Sequence, residues 1–409
     1  MEQVLLRPRL EVADILRAHG ETYQARHPLS AQQRAVLRRL TACRTAALGG
    51  HVDACAGCGF RRISYNSCRD RHCPKCQALK RAQWLETRLQ RLLPVPHFHV
   101  VFTLPEALKP LMLRNQRILY ELLFRTCAQA LLQLGADPKR LGAQLGITTI
   151  LHTWGQNLLF HPHLHCVVTG GGLARDGSRW LATRPNYLLP VKALAKLFQG
   201  KFLAGLKELY RGERLDLRGS VAALTDRRVF AHLLDRLYQQ KWVVFAKRPF
   251  ARAEHVFRYL GRYSHRVAIS NARLVSMEDG QVRFRWKDYA DGHRLKVMSV
   301  SAEEFVRRFL LHVLPKRFVR IRHYGVLAGR NVATKLVRCR QLLGGATVQP
   351  ATPVEKTWTD WLLAWTATEP LCCPRCQGPL TRQALPLTVA APPSSGSAAL
   401  PGIPTIDSS

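Results

Sequence analysis

The spacing of the cysteines constrains this chain more than any other feature of its sequence. Six of the twelve cysteines lie between residues 43 and 76, and they include two CxxC pairs separated by fourteen residues, Cys55 with Cys58 and Cys73 with Cys76. A CxxC pair turns the backbone tightly enough for both thiolates to bind one ion, and two pairs complete the tetrahedral site that zinc prefers. The sequence therefore predicts a closed structural zinc site in a small ribbon that could not build a core of its own.

The same stretch offers more candidate ligands than one zinc ion needs. A second ion is conceivable, with the ligands Cys43, His51, Cys68 and His72. We include Cys68 and His72 among the expected zinc ligands of this region. Whether the region binds one zinc ion or two stays open.

A third CxxC pair lies near the end of the chain. Cys373 and Cys376 follow Cys372 directly, and no further pair comes after them. Cys339 is the nearest additional thiolate, so Cys339 and Cys372 are the candidates for completing another site. A turn that binds no metal is the equal alternative, because one CxxC pair alone is a weak indication.

The charge of the chain indicates a polyanionic partner. Lys and Arg number 62 against 27 Asp and Glu, which gives a net charge of +35 over 409 residues. Nucleic acid is the partner that such an excess favours. Residues 311–341 contain no acidic residue, and we expect Arg320 and Arg322 there to contact DNA, with a solvated basic face as the alternative.

No part of the sequence indicates a membrane. The apolar runs are broken by charges well short of about 20 residues, and the first residues lack the basic and apolar segments of a signal peptide. We therefore expect a cytoplasmic, nucleoid-associated protein with no membrane partner. In that reducing compartment, metal binding explains the cysteines better than disulfides do.

Local patterns predict helices and strands interleaved between residues 98 and 290, as in an α+β or α/β domain. Val12, Ile15 and Leu16 have helical spacing, and Ser30 can cap a second helix. Further helices are expected at 78–93, 106–135, 192–209, 254–263 and 303–313, and strands at 97–103, 147–152, 163–169, 242–246 and 282–286. Residues 379–409 are rich in Ala, Pro and Ser, which predicts a disordered tail.

Two motifs could carry chemistry. His163 and His165 flank Leu164 in a predicted strand, so both imidazoles lie on one face and can bind a divalent cation. Tyr259 and Tyr263 share one face of a predicted helix. Either motif alone has an ordinary explanation, because histidines are common on solvated strand faces and a tyrosine pair can pack in a core.

Taken together, these motifs resemble the rolling-circle transposases of the IS91 insertion-sequence family. Such proteins carry an HUH motif (two histidines around a hydrophobic residue) and a YxxxY motif behind an N-terminal zinc ribbon. The resemblance runs from about residue 28 to residue 378. It rests on LGGH at 48–51, CRDRHCPKC at 68–76, HPHLHCVVTGGG at 161–172, RYLGRYSHR at 258–266 and RIRHYG at 320–325.

The resemblance implies an α+β chain with four regions. These are a helical, zinc-binding DNA-recognition domain at 1–95, an HUH-endonuclease-like catalytic domain at 96–300, a basic region at 301–378 and the tail at 379–409. The catalytic domain would be an antiparallel sheet flanked by helices. Single-stranded and hairpin DNA of the element ends, and target DNA, would be the partners; the oligomeric state stays open.

The resemblance also implies the reaction. Tyr259 or Tyr263 would attack a phosphodiester and form a 5′-phosphotyrosyl link, while Mg²⁺ or Mn²⁺ on His163 and His165 polarises the phosphate. Arg262 and Arg266 would contact the DNA.

HUH sites commonly add a third polar ligand. Gln156 and His152 are both near enough in sequence, and a hairpin turn at 158–161 would favour Gln156.

Two other classes of function remain as alternatives. One is a zinc-dependent DNA-binding regulator without nuclease activity, and the other is an RNA-processing protein with structural zinc. Neither class needs two phenols one helical turn apart beside an HxH strand.

Overall fold

The structure, a computed structural model, describes residues 10–250, 255, 268–289, 291–344, 356–366, 369 and 371–385. The chain divides into two compact units. The terminal unit comprises residues 1–83, 265–313 and 352–409, and the central unit comprises residues 84–264 and 314–351. No helix within the described ranges combines the length and the apolarity that a membrane crossing requires.

The elements are numbered here in chain order. The helices are α1 (Val12–Arg26), α2 (Ala31–Thr41), α3 (Ala78–Leu89), α4 (Lys109–Arg114), α5 (Gln116–Ala136), α6 (Val191–Arg211), α7 (Arg227–Gln239), α8 (Ala302–Leu310), α9 (Lys335–Leu342) and α10 (Trp358–Thr366). The strands are β1 (Gly50–Cys55), β2 (Arg61–Tyr65), β3 (His97–Thr103), β4 (Ala143–Trp154), β5 (Phe160–Ala174), β6 (Trp180–Ala182), β7 (Val244–Phe250), β8 (Leu274–Glu278), β9 (Gln281–Asp288), β10 (Arg294–Ser301), β11 (Ile321–Gly325) and β12 (Leu380–Leu385).

The central unit is built on one antiparallel sheet with the strand order β11-β4-β5-β3-β7, and β6 pairs with β5. Side chains alternate between the two faces of a strand, so Leu164 and Cys166 of β5 point away from its histidines. Helices α5 and α6 cover the Leu164 face, where Phe102 of β3 meets Phe198 of α6 with ring centroids 5.0 Å apart. The expected antiparallel sheet with flanking helices is confirmed.

The opposite face of this sheet carries the histidines. Part of it is covered by Trp84 and Leu85 of α3, which pack against the buried Ile150 and Val167. The edge strand β11 pairs with β4 and ends at Gly325. There φ is +63°, and a side chain would collide with the backbone oxygen of Leu145, so only glycine fits this position.

The described residues of the terminal unit form two three-stranded sheets, ordered β12-β1-β2 and β10-β9-β8. Helix α1 packs against α2 and α8. Ser30 caps α2 as the sequence predicts, because its hydroxyl accepts a hydrogen bond from the backbone nitrogen of Gln33, whose side chain binds back to Ser30.

The expectation of disorder from residue 379 onward is wrong for the first residues of that segment. Residues 380–385 form β12, which pairs antiparallel with β1 from Leu385 opposite Gly50 to Leu380 opposite Cys55. The partner strand lies more than 300 residues earlier in the sequence, so local composition did not reveal it. Residues 386–409 lie outside the described part of the chain, and so does the expected helix at 254–263 apart from His255.

Candidate active site

Three histidines of the central sheet point to one place. His163 and His165 lie on β5, and His152 lies opposite His163 on β4. The Nε2 atoms of His163 and His165 are 3.1 Å apart, and one nitrogen from each of the three rings lies within 4.8 Å of the others. His152 and His165 are buried, and His163 is partly so.

Hydrogen bonds behind this cluster fix which nitrogens face the shared point. Nδ1 of His163 is 2.7 Å from the backbone oxygen of His161, so that nitrogen must carry the proton and donate it, which leaves Nε2 with its lone pair. Nδ1 of His165 is 2.8 Å from Nε2 of His99 on β3. If His165 donates there, its Nε2 is also left with a lone pair. This arrangement of supporting partners is typical of metal-binding histidines.

Burial keeps the imidazoles of His163 and His165 neutral. It lowers the pKa of His163 to about 4. It also lowers the pKa of His165 well below the ordinary value, and the neighbouring His152 adds to this effect. Neutral imidazole is the form that binds a cation, so the cluster is ready to act as a ligand set at neutral pH.

The spacing fits a divalent transition metal. A metal–nitrogen bond is about 2.1 Å long, so nitrogens on neighbouring coordination positions lie about 3.0–3.4 Å apart. The 3.1 Å between His163 and His165 falls in this range. His152, His163 and His165 are therefore the residues that would hold the ion.

Gln156 does not occupy the expected position of the third ligand. Strand β4 runs to Trp154 and β5 starts at Phe160, so the turn lies at 155–159 rather than at 158–161. It is closed by a hydrogen bond from the Gly155 nitrogen to the Leu159 oxygen. This shift brings His152, the alternative candidate, opposite His163 and leaves Gln156 in the turn.

His99 was not expected from the sequence. Strand β3 has its own histidine pair, His97 and His99, with the same two-residue spacing as the pair on β5. That repetition could have indicated a supporting residue, because β3 and β5 are neighbours and His99 lies opposite Val167.

Tyr259, Tyr263, Arg262 and Arg266 lie outside the described part of the chain.

The two arginines that we expect to contact DNA, on β11 and just before it, pack within the chain. Arg320 is 8% exposed. The guanidinium of Arg322 lies 4.4 Å from the ring centre of Phe124 and 5.3 Å from that of Phe318. Other basic residues of 311–341 remain exposed: Lys316, Arg317, Arg330, Lys335 and Arg338. Basic composition alone did not distinguish the packed arginines from the exposed cations.

The first group of cysteines combines residues that the sequence analysis assigned to two different zinc sites. Cys43, Cys68, Cys73 and Cys76 have sulfurs that all lie within 4.8 Å of one another. The sulfur of Cys43 is 3.4 Å from that of Cys76 and 3.7 Å from that of Cys73. Hydrogen bonds from Cys68 and Cys73 lower the pKa of the Cys43 thiol to about 7.

Two histidines that were candidate ligands lie outside this group. Nδ1 of His72 is 2.8 Å from a carboxylate oxygen of Asp70. His51 lies in β1, opposite Ser64. Sequence spacing could not exclude either residue, because it does not show which way a side chain points.

The two N-terminal CxxC pairs do not share a site, which corrects the expected pairing. Cys55 and Cys58 group with Cys373 and Cys376 instead. Of the partners expected for the C-terminal pair, Cys339 is buried in a separate core with Leu93 and Val326 in the central unit. Cys372 directs its sulfur to the backbone oxygen of Gln377.

Two family models match parts of the chain. A family model described as "Transposase zinc-binding domain" matches residues 15–104, and one described as "Putative transposase" matches residues 146–335. The first range includes all of the first cysteine group, which supports structural zinc there. The second range includes the histidine cluster and both tyrosines. No solved structure matches the chain.

Two similar proteins cover most of the chain. One is "Putative transposase y4qJ" of Sinorhizobium fredii, which is 54% identical over 368 residues, or 90% of this chain and 92% of that protein. The other is "Transposase for insertion sequence element IS801" of Pseudomonas savastanoi pv. phaseolicola. It is 30% identical over 321 residues, or 76% of this chain and 74% of that protein.

Proposed function

We propose that this chain, which belongs to the IS91 family of transposases, moves DNA by rolling-circle transposition. The chain would cut and rejoin single DNA strands through a 5′-phosphotyrosyl intermediate. The observation that carries this proposal is the histidine cluster, in which three imidazoles on two adjacent strands meet at one point. A regulator that only binds DNA has no need of such a cluster.

The histidines would hold and orient a divalent ion. An ion bound there would polarise the scissile phosphate and offset the charge that develops during displacement. His163 and His165 present Nε2 toward the shared point, because their Nδ1 atoms face hydrogen-bond partners on the protein. Three nitrogen donors suit Mn²⁺ better than Mg²⁺, which prefers oxygen ligands. We therefore propose Mn²⁺ as the better of the two expected ions.

The nucleophile is proposed to be Tyr259 or Tyr263, and the sheet register allows either to reach the cluster. Phe245 of β7 lies opposite Val101, which lies opposite His165. From Phe245 to the end of β7 at Phe250 the strand advances about 17 Å. Tyr259 follows Phe250 by nine residues. With the expected helix beginning at residue 254, four extended and five helical steps can span up to about 21 Å, so the chain is long enough to return to the histidines.

The remaining parts would serve DNA recognition. We propose that the zinc-binding terminal unit recognises the element ends, and that single-stranded and hairpin DNA are the substrates. The net charge of +35 supports a nucleic-acid partner. Arg262 and Arg266 flank Tyr263 in the sequence and are proposed to contact the phosphates near the cut.

The test is a cleavage assay on labelled single-stranded oligonucleotides from both ends of the encoding element, with Mn²⁺. His163→Ala should lower the cleavage rate at least about 100-fold, because a direct ligand should matter more than a supporting residue, whose loss costs 10–100-fold. Binding of the same oligonucleotides should persist. His232→Ala is the matched control, since His232 is exposed on α7, and it should cleave normally. Normal cleavage by His163→Ala would refute the assignment.

A further inference from the structure

We propose that Cys55, Cys58, Cys373 and Cys376 bind a second structural zinc ion, which joins two segments of the chain that lie more than 300 residues apart. The zinc-binding family model ends at residue 104, so the C-terminal half of this site lies outside that match. The proposal does not depend on the chemistry proposed for the central unit.

The four sulfurs have the spacing of a tetrahedral site. The Cys55 and Cys376 sulfurs are 3.4 Å apart, and the Cys58 and Cys373 sulfurs are 3.5 Å apart. All four lie within 4.8 Å of one another. A zinc–sulfur bond is about 2.3 Å long, which places tetrahedral sulfurs about 3.8 Å apart. The cluster is therefore close to the size that one zinc ion requires.

Both CxxC segments form the same turn. In the first, the Cys55 nitrogen donates to the Phe60 oxygen over 2.9 Å, and the Gly59 nitrogen donates to the Cys55 oxygen over 3.1 Å. In the second, the Cys373 nitrogen donates to the Gly378 oxygen over 2.7 Å, and the Gln377 nitrogen donates to the Cys373 oxygen over 3.0 Å. Two matching turns that face each other are how zinc ribbons present four thiolates.

The residue after the second cysteine adopts a left-handed conformation in both turns. The φ angle is +70° at Gly59 and +60° at Gln377. Glycine accepts this conformation without strain, whereas glutamine does not favour it. A left-handed Gln377 is retained at a cost, which is explained if metal binding requires the turn.

The strands next to the site hold the two segments in register. Strand β12 follows the C-terminal turn and pairs with β1, which leads into the N-terminal turn. The buried Asp53 of β1 accepts hydrogen bonds from Arg62 of β2, 2.8 Å away, and from Arg382 of β12, 2.6 Å away. This ion-paired sheet brings the two turns together.

The small apolar core beneath the site would not stabilise it alone. Cys55, Phe60, Cys373 and Leu380 form one small buried cluster, while Cys58 and Cys376 are exposed. Small lobes with so little buried apolar surface commonly depend on metal for their folding free energy. The consequence is that residues 371–385 belong to the zinc-binding unit, and that a chain ending before residue 371 would keep only half of this site.

Zinc content of the purified full chain tests the proposal. All chains carry His163→Ala and His165→Ala, so that the histidine cluster cannot add a zinc ion to the count. In this background the chain with all cysteines intact should contain two zinc ions, and both the Cys373→Ser/Cys376→Ser and the Cys55→Ser/Cys58→Ser double variants should contain one. Cys372→Ser is the matched control and should keep two, because Cys372 lies next to the site without belonging to the sulfur group. One zinc ion in the chain with all cysteines intact, or two in the Cys373→Ser/Cys376→Ser variant of the same background, would overturn the proposal.

A second measurement uses only the wild-type chain and so avoids variants that fail to fold. Cys58 and Cys376 are exposed, whereas Cys372 is only partly exposed. Exposure alone predicts that iodoacetamide alkylates Cys58 and Cys376 faster than Cys372. Zinc binding predicts the reverse order, with Cys58 and Cys376 becoming reactive only after a chelator is added. Alkylation of Cys58 and Cys376 before Cys372 in the untreated protein would contradict the site.

Discussion

The identity of the third metal ligand gives the sharpest prediction about the histidine cluster. His152→Ala removes one of three nitrogen donors that lie within 4.8 Å of one another, while Gln156→Ala removes a side chain of the neighbouring turn. Loss of a supporting residue behind a metal ligand costs 10–100-fold in affinity. Loss of a ligand should therefore cost at least about 100-fold, which corresponds to about 2.7 kcal/mol of binding free energy.

The assay is titration of the full chain with Mn²⁺, with free Mn²⁺ measured by electron paramagnetic resonance. His152→Ala should raise the dissociation constant at least about 100-fold, and Gln156→Ala should change it less than about threefold. His99→Phe should fall between them, at about 10–100-fold, because it removes only the partner 2.8 Å from Nδ1 of His165.

The opposite order would refute this reasoning. If Gln156→Ala weakens Mn²⁺ binding at least tenfold while His152→Ala leaves it unchanged, the ion is held by the turn. The ligand set derived from the pairing of β4 with β5 would then be wrong. Circular dichroism of each variant, compared with the wild type, controls for loss of the fold.

Three further predictions concern stability and DNA contact. Asp53→Ala should destabilise the sheet of β12, β1 and β2 by about 3 kcal/mol, since removing one partner leaves Arg62 and Arg382 without their shared carboxylate. Hydrogen exchange of the backbone amides in β12, β1 and β2 should then accelerate at least about 100-fold. An acceleration of less than about fivefold would contradict this prediction. Burial raises the pKa of Asp53, but hydrogen bonds from Arg382 and Arg62 outweigh this effect and hold the pKa below its ordinary value. The stabilisation that the ionised Asp53 gives to the sheet should therefore be complete above about pH 4 and lost as the pH falls further. Arg322→Ala should lower the melting temperature but leave the salt dependence of DNA binding unchanged, because its guanidinium packs on aromatic rings. Arg317→Ala should instead reduce the salt slope by about one unit if Arg317 contacts a phosphate, and an equal effect of both variants on the slope would contradict the distinction.

Local sequence patterns predicted the parts of the fold that depend on neighbouring residues. Ser30 and Gln33 form a capping box whose two partners are three residues apart, so the sequence contained both. The two-residue spacing of His163 and His165 placed both rings on one face of β5 in the same way. The bounds of β3, His97–Thr103, agree with the predicted strand.

Features that depend on the exact register of paired strands, or on pairing between distant residues, could not be predicted. The position of the β4–β5 turn decides whether His152 or Gln156 lies opposite His163, and an error of a few residues in that turn changes the answer. The CxxC spacings indicated zinc but not which pairs combine, because the partners of Cys55 and Cys58 lie 321 and 315 residues away. Strand β12 was missed for the same reason, since its partner β1 is near the other end of the chain.

The central claim, tyrosine attack at a histidine-bound metal, is tested most directly by locating the covalent bond. The chain is incubated with Mn²⁺ and a single-stranded oligonucleotide from one element end, the adduct is isolated in SDS, and nuclease and trypsin digestion precede mass spectrometry. Trypsin cuts after Arg258, Arg262 and Arg266, so the two tyrosines fall in separate peptides, 259–262 and 263–266. The account predicts that the tyrosine of one or both of these peptides carries a nucleotide linked through its 5′ phosphate. No such adduct should form with His163→Ala. DNA cleavage with no adduct, or with the adduct on any other residue, would contradict it.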